Sequence, residues 1–277
     1  MRAFRWIRAH RVKSVLLVLL FLVAAELATI PWFDIARLGR DNPVTTALMR
    51  QRMAEARAAG KPYRITQRWI PLERIPRHVI DAVIVAEDGT FFTHGGVDWF
   101  EVRESIAKDI HERRAARGAS TITQQVAKNL FLSTSKDPVR KLKELIITEL
   151  LEHELSKERI LEIYMNIVEW GPGIFGIDAA AETYFGKTAS ALTLDEGARL
   201  AAVIPSPLRH RPDGDGRYVS RRTGIVLDRM EARSMVPRAD SAAAAPSPAA
   251  VDSAAFDLTP LPETDTADTD EGGAHGL

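Results

Sequence analysis

Between Val15 and Trp32 the chain carries one charged residue, Glu26. The run is close to the ~20 residues that a helix needs to cross the apolar core of a bilayer. Five basic residues precede it, Arg2, Arg5, Arg8, Arg11 and Lys13, and they mark that side as cytoplasmic. The pattern predicts a cytoplasmic basic segment over residues 1–13 and one transmembrane anchor over 14–33. Trp32 and Phe33 then sit at the outer interface, and all later residues lie outside the cytoplasm. A cleaved signal peptide is the alternative, but "VAAEL" is a poor cleavage site and the run exceeds a typical signal core.

The far end has the opposite character. Residues 239–277 contain eight Asp and Glu and neither Lys nor Arg, and they are rich in Ala, Pro, Ser and Thr. Without apolar periodicity, that composition predicts a disordered acidic tail. The tail hides an asymmetry, because the 37 basic and 37 acidic residues of the whole chain cancel while residues 1–238 hold 37 basic against 29 acidic groups. Such an excess suits an acidic membrane surface or a phosphorylated substrate, although solvated basic helix faces account for much of it. A domain outside the cytoplasm does not meet nucleic acid. The absence of cysteine excludes disulfides, a thiolate zinc site and a Cys nucleophile. One soluble domain remains, over about residues 42–235, with enough apolar residues for a core.

Helical patterns dominate that domain. Phe100, Val102, Ile106 and Ile110 recur at helical spacing over residues 96–117, and Gly118 is placed to cap the end. In "STITQQVAKNLFL" Thr121 stands three residues before Gln124, a capping-box spacing, and Ile122, Val126 and Leu130 share one side. Pro138 opens a segment in which Val139, Leu142, Leu145, Ile146 and Leu150 form a stripe suited to the core. Thr193 and Glu196 make a second capping box, and Pro205 and Pro207 stop that helix. No alternating strand of any length stands out. The reading is a mainly α domain with room for a short hairpin near the adjacent acids Glu87 and Asp88.

Those acids follow an apolar run, in "AEDGTFFTHGG". A carboxylate at the edge of a core is costly unless it is hydrogen-bonded, paired or used in chemistry. Ser120, Thr121 and Thr123 admit a capping role alone. Gln124, Gln125, Lys128 and Asn129 add three amides and an ammonium to the first turns of a helix, where free N–H groups favour an anion. Lys136, Arg140 and Lys141 follow on the next loop and helix, and together these side chains could hold a phosphate or diphosphate. Glu144 taken alone fits an intrahelical ion pair with Arg140 or Lys141. Glu87 and Glu144 as a pair also fit sugar chemistry, in which one acid handles a proton and the other steadies developing charge. His94 has no partner at metal-ligand spacing, which leaves it a loop-ordering hydrogen bond. "SIAK" and "STSK" match the Ser-x-x-Lys element of acyl-serine enzymes, but its companion motifs are missing.

"EDGTFFTHGG", "GASTITQQVAKNLFL", "RKLKE", "KERILEIYMN" and "GIFGIDAAAETYFGK" resemble, in order and spacing, the signature segments of family 51 glycosyltransferases, the peptidoglycan polymerases. The resemblance runs over about residues 65–210, and with one anchor and no transpeptidase domain it is to a monofunctional member. It implies a lysozyme-like, two-lobed, mostly helical domain, one lobe of which dips into the membrane. It implies polymerisation of lipid II, a disaccharide pentapeptide on undecaprenyl diphosphate, into β-1,4-linked glycan. Glu87 would be the general base toward the acceptor 4-hydroxyl. Glu144 would position the leaving diphosphate, directly or through a divalent cation, Mg or Mn; no organic cofactor is implied. Lys128, Arg140 and Lys141 would neutralise the diphosphate, with Lys136 standing where relatives often carry Arg. Ser120, Thr121, Gln124, Gln125 and Asn129 would bind sugar or phosphate oxygens, and Asp88, Phe91 and His94 would organise the loop.

The implied partners are lipid II, the growing lipid-linked glycan, membrane lipids and other wall-synthesis proteins. The implied location is the outer side of the bacterial cytoplasmic membrane. Two rivals carry weight: a lysozyme-like enzyme that cleaves the same glycan, and a catalytically idle membrane-anchored scaffold. The acidic tail lies outside the family pattern.

Overall fold

The computed structural model describes residues 11–104, 120–135 and 137–235, and it is mainly helical. Helix α1 (Arg11–Ala28) holds the apolar run. It ends before the expected anchor does: a turn and Pro31 intervene, and a separate short helix α2 (Trp32–Arg37) follows. A proline has no N–H to offer and restricts the residue before it, so the helix stops short of it. Among the described residues no helix is long and apolar enough to cross a membrane. In α1 the apolar stretch shares its 18 residues with Arg11, Lys13 and Glu26.

Beyond these come α3 (Ala47–Ala58), strand β1 (Thr66–Gln67) and α4 (Arg77–Glu87). Helices α5 (Ile122–Phe131), α6 (Pro138–Glu154) and α7 (Lys157–Ile167) follow, then strands β2 (Glu169–Gly171) and β3 (Ile174–Phe175). Helices α8 (Ile177–Phe185), α9 (Leu194–Val203) and α10 (Arg217–Met235) complete the unit. Residues 101–104 continue a helical turn begun at Trp99 and belong to a second unit. Residues 105–117 of the helix expected over 96–117 lie outside the described residues, as do residues 1–10 of the expected basic segment and the whole expected acidic tail, 239–277.

Local chemistry explains most helix starts. Thr121 and Thr193 form both expected capping boxes, Pro138 sits in the first turn of α6, and Asp137 caps that helix by accepting from Arg140 N at 2.7 Å. The core gathers α4, α5, α7 and α9: Val79, Val83, Ile122, Val126, Ile160, Ile163, Leu200 and Ala201 are all inaccessible to solvent. Helix α9 packs on α4 and α10, α5 on α6, α7 and α3, and α2 on α6.

Two expectations change. The hairpin forms at 169–175, where β2 and β3 pair antiparallel and β1 adds parallel to β3, while the residues after Glu87 make turns. Gly176 turns the chain from β3 into α8 at φ 81°, and a Cβ there would lie 2.7 Å from the Asn166 carbonyl oxygen, so only glycine fits. Helix α6 also buries a different face from the expected one. Val139 and Leu142 are exposed and Leu145, Ile146 and Leu150 half-buried, whereas Glu144, Ile147, Thr148 and Leu151 are buried. Both sets obey the helical repeat, and packing on α5 selects the one that contains a carboxylate.

Candidate active site

Glu87 is the last residue of α4, and the chain leaves the helix directly after it. Its Oε2 accepts from Gln125 Nε2 at 2.8 Å. The amide of Gln125 is oriented in turn, because its Oε1 accepts from the hydroxyl of buried Tyr164 at 3.1 Å. Burial raises that phenol's pKa well above its ordinary value, so it remains a donor. Glu87 Oε1 makes no hydrogen bond among the described residues. Burial pushes the Glu87 carboxyl up to about 7, against the opposing pull of the Gln125 hydrogen bond and of the charges on Arg222 and Lys128, while Asp88 adds a smaller push upward. A carboxylate poised near neutral pH is suited to taking a proton.

The loop after Glu87 is tied down by Asp88. Both Asp88 oxygens face His94 Nε2, at 3.0 and 3.1 Å, and Oδ2 also accepts from Ile122 N at 2.9 Å, the first residue of α5. His94 Nδ1 accepts from Gly96 N at 3.1 Å, so the ring carries its proton on Nε2 and donates to Asp88. Thr121 Oγ1 donates to Gly96 O at 2.6 Å. At φ 88° Gly96 lies against α6, where a Cβ would meet Thr148 Cγ2 at 2.8 Å. Phe91 is fully buried beneath the Lys157 ammonium, which stands 4.5 Å from its ring centre. Asp88 and His94 thus tie the turns after Glu87 to the start of α5, with Phe91 buried among them.

The second carboxylate is the centre of a cationic cluster. Glu144 is buried and accepts from Arg140 at 2.5 Å on Oε2 and from Lys141 at 2.5 Å on Oε1. Among the described residues Arg140 Nε is buried without a partner, a donor left for a ligand. Lys128 projects from α5 into the same region. Burial lowers its pKa; Glu144 and Glu87 oppose that, and Arg140 and Lys141 reinforce it. Lys128 thus feels both acids and both neighbouring cations, so α4, α5 and α6 contribute to one charged constellation.

Of the remaining residues, Ser120 is half-buried, Asn129 is buried, and Lys136 lies outside the described residues. Thr121 and Gln124 are buried and engaged in the capping box, Thr121 N donating to Gln124 Oε1 at 3.2 Å and Gln124 N to Thr121 Oγ1 at 3.2 Å. Arg222 was not singled out by any motif: it reaches the site from α10, held by Nε donating to Ala202 O at 3.0 Å, and it acts on Glu87 by charge. In sequence it is one of several arginines on a basic helix.

Comparison with known proteins places the chain in a family. The family model described as "Transglycosylase" matches residues 54–231. The biosynthetic peptidoglycan transglycosylase of Bordetella avium is 40% identical over 235 residues, which cover 83% of this chain and 96% of that protein. The protein of the same name from Aromatoleum aromaticum is 47% identical over 169 residues, 61% of this chain and 74% of its own, and that from Thiobacillus denitrificans is 36% identical over 85% and 98%. With the model spanning both acids and the whole cationic cluster, the chain belongs to the transglycosylase family.

Proposed function

We propose that this protein, a peptidoglycan transglycosylase by family, polymerises lipid II, with Glu87 as base and the Lys128–Arg140–Lys141 cluster as the diphosphate grip. The observation that carries the reading is the pairing of two unlike environments: a carboxyl raised to about 7, with one oxygen free, beside cations gathered on a second, buried carboxylate. Glu87 Oε1 takes the proton of the acceptor GlcNAc 4-hydroxyl as that oxygen attacks C1 of the lipid-linked MurNAc. The C1–O bond to the diphosphate breaks, the configuration inverts, and undecaprenyl diphosphate leaves. Lys128, Arg140 Nε and Lys141 meet the charge that develops on the departing oxygens. Glu144 holds Arg140 and Lys141 in place for that task.

The described residues do not by themselves fit a metal site. No group of three or more His, Asp or Glu converges among them, and both oxygens of Glu144 already hold cationic side chains. A magnesium or manganese ion would take most of its oxygens from the substrate diphosphate, as such ions commonly do. Membrane attachment belongs to the same reading. The uncharged residues 15–25 of α1 would enter the bilayer beside the basic residues that precede them, although α1 alone does not reach across it. They would hold the domain on the outer face of the cytoplasmic membrane, beside its lipid substrate.

A glycan-cleaving enzyme has no use for cations around a diphosphate, and an idle scaffold has no use for a tuned base. The test supplies labelled lipid II to the full-length protein in membranes and, separately, finished sacculi. Polymer from the first supports synthesis; soluble fragments from the second would support cleavage instead. Glu87→Gln should lower polymerisation by about 10²-fold or more, the scale of a lost general base. Polymerisation at the wild-type rate by that variant would remove Glu87 from the chemistry.

A further inference from the structure

The cations on α6 depend on where that helix starts, and the described loop residues before it, 132–135 and 137, have little packing to hold them. Ser133, Thr134, Ser135 and Asp137 are all exposed. A groove of about 370 Å³ separates the loop from α3, lined by Arg50, Gln51, Leu132, Ser133, Thr134 and Ser135. One side chain bridges it. Gln51 Oε1 accepts from Thr134 N at 3.1 Å, and Gln51 Nε2 donates to Thr134 Oγ1 at 2.6 Å. Both ends of one amide therefore grip one residue, fixing its backbone and its side chain together.

The grip is anchored on both sides. Gln51 Nε2 also donates to Glu55 Oε1 at 2.6 Å, and Glu55 Oε2 accepts from Arg52 at 3.0 Å. Arg52 makes a bidentate contact with buried Glu169, Nε and NH2 reaching Oε2 at 3.0 and 2.9 Å, which ties α3 to strand β2 in the interior. On the loop side, Ser133 Oγ lies 2.9 Å from Ser135 Oγ, and Ser135 Oγ donates to Asp137 Oδ2 at 2.8 Å. Asp137 Oδ1 caps α6 at Arg140 N, and Arg140 is the guanidinium on Glu144. Hydrogen bonds thus run from the interior ion pair through Gln51 to Thr134, and from the next residue along the chain, Ser135, through Asp137 to the first turn of α6.

We propose that Gln51 is a positioning residue for the diphosphate grip: it braces residues 132–135 across the groove, and so steadies the Asp137 cap and the start of the helix that presents Arg140 and Lys141. This rests on the proposed lipid II chemistry. It acts through the loop and touches no substrate. Loss of the brace loosens the cations while leaving Glu87 and its proton untouched, so it should fall on substrate binding rather than turnover.

The experiment compares Gln51→Met, close in length but unable to form either hydrogen bond, with Thr134→Ala and the double variant in the full-length protein. Steady-state rates with lipid II should show KM raised about 3- to 10-fold, the worth of one or two such bonds, with kcat within about twofold. The double variant should be no worse than Gln51→Met, since both remove one contact. Hydrogen exchange over residues 132–137 should be faster in Gln51→Met without any substrate. Unchanged KM, a loss confined to kcat, additive effects in the double variant, or unaltered exchange would each overturn the brace. Thr134→Ala, on an exposed loop, serves if Gln51→Met fails to fold. Wild-type protein that makes no polymer from lipid II would instead overturn the proposed function, and the exchange measurement would then decide the brace alone.

Discussion

Replacing Gln125 with Met should move the pH dependence of the reaction without abolishing it. Gln125 Nε2 donates to Glu87 Oε2 at 2.8 Å and is the strongest influence opposing the burial that raises Glu87. A hydrogen bond to an ionised group is worth about 1.5–3 kcal/mol, or roughly 1–2 pKa units at 1.36 kcal/mol each. Water can reach the half-buried carboxylate and replace part of the bond, which brings the expected rise to about one unit. Arg222, Lys128 and Asp88 keep their influence in the variant. The acidic limb of kcat/KM against pH should therefore move from about 7 to about 8. At about pH 6.5 the ionised fraction of Glu87 would fall from roughly a quarter to roughly 3%, an eightfold loss of rate, whereas at about pH 9 both proteins would be almost fully ionised. The assay is initial polymerisation of labelled lipid II over that range. A limb that stays put, or a loss equal at every pH, would refute the tuning and assign Gln125 to substrate contact alone.

Two further outcomes follow from the same geometry. A carboxyl raised in the folded state contributes stability that is complete below its unfolded pKa and is lost as pH rises through the folded value of about 7, so the ionised Glu87 is a burden above neutrality. Glu87→Gln should accordingly stabilise the fold at about pH 8 by on the order of 2 kcal/mol while removing activity, and should bring no gain at about pH 4; denaturant unfolding at the two pH values checks this. Gly96→Ala places a Cβ 2.8 Å from Thr148 at φ 88°. It should cost on the order of 2 kcal/mol and slow polymerisation by displacing the His94–Asp88 loop, and a melting temperature equal to wild type would contradict it.

Much of the site was legible because its signals are local. Thr121 and Gln124 announce a capping box at a spacing of three, Pro138 and Asp137 announce the next helix, and Glu87, Glu144, Lys128, Arg140 and Lys141 all stand in recognisable segments. Such features depend on neighbours within one helical turn, and tertiary packing did not alter them. The resemblance assigned Gln124 to substrate, and in the folded chain its Oε1 accepts from Thr121 N at the start of α5.

Sequence by itself thus determined the helical class, the helix starts, the two acids and the family, since each is written in contiguous residues or in their helical repeat. Tertiary structure decided the rest. Helix α6 has two candidate apolar faces, and only packing on α5 determined that the one bearing Glu144 turns inward. The proton affinity of Glu87 comes from burial and from charges as remote as Arg222, and the brace on α6 comes from Gln51, 83 residues before Thr134. Desolvation and through-space contacts depend on which surfaces meet, and no periodicity along the chain encodes that meeting.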